Sequence, residues 1–180
     1  MKCALIIIDM INDFKFAHGD LLLKHTKSIV KPILHIKETL KKQGAPIIYI
    51  NDHYNLWQAD FEKIIATCQH EQNTDIIEQI KPTNDDYFLI KPKHSAFYGT
   101  ALQTLLHQLK IDTLILTGIA GNICVLFTAN DAYMREYKIW APEDAIASAD
   151  IQDNQYALTM MNQVLKASTA KSSLISSFLQ

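Results

Sequence analysis

Five short runs of apolar, mostly β-branched or aromatic residues punctuate the chain, at positions 4–8, 46–50, 87–90, 113–116 and 138–140. Each is bounded by polar or turn residues, and none alternates in polarity. Continuous apolarity of this length predicts strands covered on both faces, as in a parallel sheet. Between the runs the spacing turns helical. Ile29, Ile33, Ile36 and Leu40 recur four, three and four residues apart and lead into Lys41, Lys42 and Gly44, a basic last turn with a terminating glycine. Pro32 predicts that this helix starts close to the proline or is kinked there. Ala101, Leu105, Leu106 and Leu109 form a second stripe, residues 125–137 a third, and Tyr156, Met160, Met161, Val164 and Leu165 a fourth. The stretch 51–79 is the least regular, with a short helix expected around residues 61–68 and loops that shape a pocket rim. Strands alternating with helices predict an α/β fold, a doubly wound sheet with helices on both faces.

Composition narrows the partners. With 180 residues, 48% of them hydrophobic, the chain can bury an ordinary core as one domain over residues 1–180. A net charge of -2 offers no broad cationic field, so neither nucleic acid nor an anionic membrane is expected as a partner, which leaves a small-molecule substrate and protein partners. The apolar run after Lys2 is interrupted by Asp9 with no small-residue cleavage site behind it, which reads as a buried strand and not a signal peptide. No run approaches the roughly 18 residues of a membrane span. Cys3, Cys68 and Cys124 are odd in number and have no framework spacing, which predicts reduced thiols in a cytoplasmic protein.

In an open α/β sheet the ligand crevice lies beyond the carboxyl ends of the strands. Asp9 ends the first run, Lys91 ends the third, and Cys124 follows the fourth through a turn at 117–123. One edge can thus gather a base, a cation and a thiol. Cys124 also opens a helical stretch, where unpaired N–H groups and a nearby ammonium favour thiolate and can hold an oxyanion. Each residue has an ordinary alternative: Cys124 as a small core residue, Asp9 as a cap, Lys91 or its neighbour Lys93 as a solvated surface charge. Spacing alone does not choose between the two lysines.

Three segments in order, 6–14 around Asp9, 91–97 from Lys91 to Phe97, and 117–132 around Cys124, resemble the isochorismatase-like cysteine hydrolases. The similarity runs from Ala4 to about Ser148. It implies a Rossmann-like, mostly parallel sheet, an Asp-Lys-Cys triad of Asp9, Lys91 and Cys124, a cis peptide at Ile119-Ala120 and a homo-oligomer, a dimer or larger. Its contacts would come from the loops at 51–69 or the last helix. The implied chemistry is hydrolysis of an amide or ureido C–N bond through a thioester, without a cofactor, the oxyanion held by the N–H groups of Ala120 and Cys124. Phe14, Tyr54, Trp57 and Phe97 are candidate pocket walls, with Phe14 and Phe97 equally readable as core.

The chain departs from the family pattern at three places. Ile11 stands where glutamine is frequent, which predicts a drier pocket, and Gly121 stands where threonine or serine is common. Tyr54 replaces the histidine of an Asp-x-His metal motif, so Asp52 and His53 are expected to be loop residues and no metal is expected. Two alternatives stay open: hydrolysis of a vinyl ether, which would call for more arginines than this chain has, and a silent binding protein of the same fold. A dinucleotide-binding module lacks its Gly-x-Gly-x-x-Gly turn.

Overall fold

A computed structural model describes residues 2–179. β1 (Cys3–Ile8), buried along its whole length, is the middle of a parallel sheet. To one side lie β2 (Ile47–Asp52) and β3 (Tyr87–Lys91), to the other β4 (Thr113–Ile119) and β5 (Lys138–Trp140), giving the order β3-β2-β1-β4-β5. The two-residue β6 (Ile146–Ala147) pairs with the end of β4.

Alternate residues of β1 feed two cores. Ala4, Ile6 and Ile8 pack toward α4 (Leu102–Gln108), α5 (Leu126–Met134) and α6 (Ile151–Gln163). Cys3, Leu5 and Ile7 pack toward α1 (Gly19–Lys42), α3 (Thr74–Ile80) and α7 (Ile175–Phe178). Helices therefore cover both faces, as the strand-helix alternation predicts. A third, smaller core of Ile11, Ile64, Cys68 and Ile77 lies under α2 (Phe61–Cys68), whose bounds match the expected short helix.

Five elements differ from the sequence reading. α1 begins thirteen residues before Pro32 and carries the proline inside it. An interior proline costs about 3 kcal/mol. Leu22, Leu23, Ile29, Val30, Ile33, Ile36 and Leu40 are all buried, at roughly 1.5–3 kcal/mol each, so the apolar face outweighs the breaker. α6 is rotated from the expected stripe: Ala157, Leu158 and Met161 face the core, while Tyr156, Met160 and Val164 are exposed. α3, β6 and α7 are additions. At the amino end of the sheet, Lys37 and Lys41 each lie 2.8 Å from the buried Asp86 carboxylate and fasten α1 to the segment before β3.

Candidate active site

The register Ile8↔Ile50 and Ile8↔Gly118 leaves Asp9 just past the sheet edge, between the ends of β2 and β4. Asp9 has a left-handed backbone (φ 52°), a conformation that aspartate tolerates better than most residues. Its Oδ1 accepts the Asp52 N–H at 2.8 Å, and its Oδ2 lies 2.8 Å from Lys91 Nζ. Lys91, only 2% exposed, also donates to the Lys93 carbonyl at 3.1 Å and to Cys124 Sγ at 3.4 Å. An ammonium has three N–H groups, and here all three have acceptors. The structure thus brings Asp9, Lys91 and Cys124 together. Lys93 supplies a backbone carbonyl while its side chain is exposed.

Burial and charge fix the protonation pattern. Desolvation pulls the Lys91 ammonium toward neutrality, but Asp9 and Cys124 outweigh it and hold the group above its ordinary range. The Cys124 thiol is pushed up to about 12, first by burial and then by the Asp9 carboxylate, with Lys91 opposing. Desolvation and the neighbouring carboxylate thus work against the thiolate that a helix start and the Lys91 ammonium favour. The surroundings thus favour the ammonium form of Lys91 and the thiol form of Cys124.

Cys124 lies in a π-helical turn, Gly121–Val125, that runs directly into α5. Ala120 O accepts from the N–H groups of Ile123 and Val125, and Cys124 O accepts from Thr128 Oγ1 at 2.7 Å. The Ile119-Ala120 peptide is cis. Gly118 has φ 109°, and a Cβ there would stand 2.1 Å from Ile8 O, so no side chain fits where β4 meets β1. The segment after Lys91 docks on α5: Ser95 Oγ donates to Asp131, and the Ala96 N–H donates to Thr128 Oγ1 at 3.0 Å. Asn51 exchanges two hydrogen bonds with the backbone of Ile11 and fixes the segment after Asp9. The sequence reading gave Ser95, Thr128, Asp131 and Asn51 no role. Thr128 and Asp131, four and seven residues after Cys124 on one helix face, were the available signal.

The four aromatics are not gathered into one wall. Phe14 is core beneath α1. Phe97 is core too, stacked with Tyr137 and covered by the Arg135 guanidinium at 4.8 Å. Tyr54 packs over the small core, its hydroxyl accepting the Asp13 N–H. Trp57 is 66% exposed and stacks on His53 at 4.0 Å. Asp52 Oδ1 accepts the Tyr54 N–H and His53 Nδ1 accepts the Asn55 N–H, both shaping the loop. Ile11 is buried against Ile64, Cys68 and Ile77. Among the described residues no three His, Cys, Asp or Glu side chains are grouped to hold a metal ion.

This arrangement can be set beside known proteins. The model of the isochorismatase domain matches residues 3–172. The chain belongs to the isochorismatase family. This isochorismatase-like hydrolase is 60% identical over 164 residues to the isochorismatase-family protein YaaI of Bacillus subtilis (strain 168), covering 91% of each. It is 26% identical to the ureidoacrylate amidohydrolase RutB of Acinetobacter baylyi over 82% of this chain and 71% of that one. The crystal structure of N-carbamoylsarcosine amidase from Thermoplasma acidophilum superposes with a TM-score of 0.74 at 34% identity, over 96% of this chain and 97% of that chain. Among the described residues of this family member, no helix is long and apolar enough to cross a membrane.

Proposed function

We propose that the protein hydrolyses a C–N bond, ureido or amide, of a small molecule, with Cys124 as nucleophile, Asp9 as proton acceptor and donor, and Lys91 as stabilising cation. The observation that carries this reading is Lys91 Nζ in contact with both the Asp9 carboxylate and the Cys124 sulfur. As Sγ attacks the carbonyl carbon, its proton passes to Asp9 and Lys91 compensates the sulfur's charge. The N–H groups of Ala120 and Cys124 hold the oxyanion. Collapse breaks the C–N bond, and protonated Asp9 gives its proton to the leaving nitrogen. Water then hydrolyses the thioester, Asp9 again taking a proton. The ureido class is favoured because the amidase and amidohydrolase named above act, by their names, on N-carbamoyl and ureido compounds.

Vinyl-ether hydrolysis is less well supported. An anionic substrate needs free cations, and Arg135, the chain's single arginine, is bound to Asp131 and Gln103. Three free thiols suit a reducing, cytoplasmic setting, and a homo-oligomer without nucleic acid or membrane partners completes the proposal. The test is ammonia release from a panel of ureides and primary amides. Turnover lost in Cys124→Ala is expected; turnover kept in that variant refutes the covalent route.

A further inference from the structure

The turn that carries Cys124 is also held from β6 and α6. The Asn122 N–H donates to Ser148 Oγ at 3.0 Å, Ser148 Oγ donates to Asn154 Oδ1 at 2.8 Å, and Asn154 Nδ2 donates to Ile146 O at 3.3 Å. A backbone N–H can only donate, so the hydroxyl accepts there. The Ile146 carbonyl can only accept, which turns the Asn154 NH₂ toward it and leaves Oδ1 to take the Ser148 proton. Ser148 is buried, and its carbonyl accepts from His25 Nδ1 on α1 at 2.8 Å. The relay is thus anchored at both ends.

Gly121 shows what the relay replaces. A Cβ at 121 would stand 2.2 Å from Asn154 Oδ1, 2.7 Å from Ile146 Cγ2 and 3.0 Å from Ser148 Oγ. The space that a threonine or serine would take at this position is filled by Asn154 and Ser148, reaching in from elsewhere in the chain. We propose that Ser148 and Asn154 are positioning residues of the nucleophile turn, the tether this chain has in place of a hydroxyl side chain at 121. The proposal rests on Cys124 being the nucleophile. Its physical basis is orientation: the tether fixes the peptide units between Ala120 and Cys124, and a displacement of about 1 Å in such a unit can cost about a hundredfold in rate.

The test compares Ser148→Ala, Ser148→Thr, Asn154→Ala, Gly121→Ala and the double variant Gly121→Ala/Asn154→Ala. Two readouts are taken: amide hydrogen exchange of a peptide spanning 118–126, and kcat and KM for ammonia release from N-carbamoylsarcosine. Ser148→Ala and Asn154→Ala should speed exchange in that peptide about tenfold and lower kcat ten- to a hundredfold, with KM within twofold. Ser148→Thr keeps the hydroxyl and should keep both values near wild type. Gly121→Ala should be impaired by collision with Asn154, and the double variant, which lacks the tether, should be no better than Asn154→Ala. Unchanged exchange in both alanine variants, or a double variant with a higher kcat than Asn154→Ala, would overturn the proposal. Exchange needs no substrate, so it decides the tether even if wild-type protein leaves N-carbamoylsarcosine intact, a result that speaks against the proposed substrate class alone.

Discussion

Converting Asp9 to asparagine should abolish turnover and yet make Cys124 more reactive toward a simple alkylating agent. In the wild type the thiol is pushed up to about 12 by burial and by the Asp9 charge, with Lys91 opposing. At pH 7 that leaves a thiolate fraction of about 10⁻⁵, against a few per cent for an ordinary cysteine. A charge at this range moves a pKa by roughly 1–3 units. Asp9→Asn removes the opposing carboxylate but leaves the Lys91 ammonium against Sγ, so the thiolate fraction should rise about ten- to a thousandfold. The assay is iodoacetamide labelling of the folded protein from pH 6.5 to 10, with Cys3, Cys68 and Cys124 quantified by peptide mass spectrometry. Cys124, the half-buried thiol among two buried ones, should label first in both proteins. In the wild type its rate should climb about tenfold per pH unit with no plateau; in Asp9→Asn the curve should shift to lower pH. A wild-type plateau below pH 8 would show a standing thiolate-ammonium pair and refute the reasoning. So would slower labelling in Asp9→Asn.

Asp9→Asn, Lys91→Ala and Cys124→Ala should each cost about a thousandfold or more in kcat on the ureide turned over, with double variants little worse than singles, while Lys93→Ala keeps most activity. Lys91→Ala, which strands the buried Asp9 carboxylate, should also lose about 3–5 kcal/mol in urea unfolding, and Cys124→Ala much less. Above about pH 8 stability should fall as pH rises from the unfolded thiol value near 8.5 toward 12. Cys3, Cys68 and Cys124 are held protonated by burial, each contributing up to about 1.4 kcal/mol per pH unit, so Cys68→Ala should flatten the loss. Gly118→Ala should prevent folding or lower Tm sharply, since its Cβ meets the Ile8 carbonyl and neither backbone can yield. Activity should survive exhaustive EDTA; its restoration by zinc, iron or manganese after loss would reopen a metal site around Asp52 and His53.

Where the pattern of the chain was informative, it was because a local signal and the tertiary environment agree. β1, β2 and β4 are buried on both faces, so their sequences are apolar without interruption and visible as strands. Pro32 shows the opposite case. Its rule is local, but the helix is decided by seven buried side chains spread over both sides of it. β6 has two residues and α7 four, too few to carry a period. The first is held by pairing with β4, the second by Phe178 stacking on Trp140 at 4.5 Å. The aromatics failed for a related reason: residue type predicts that Phe14 and Phe97 are covered, not whether a ligand or the core covers them.

The site divides along the same line. Which residues meet at the sheet edge follows from strand order and register: position after a strand brought forward Asp9, Cys124 and the lysine pair, and the family resemblance chose Lys91 over Lys93. Their protonation state depends on burial and on the balance of two opposite charges, which no spacing records. That balance sets the demand on Asp9. Raising a thiol's pKa depletes its thiolate, while the greater basicity of the sulfur returns only part of the loss in nucleophilicity. A positioned general base contributes about 10²–10⁴-fold when it removes the proton during attack. In the proposed mechanism Asp9, paired with Lys91 and fixed by the Asp52 N–H, makes up that loss by taking the proton as the C–S bond forms.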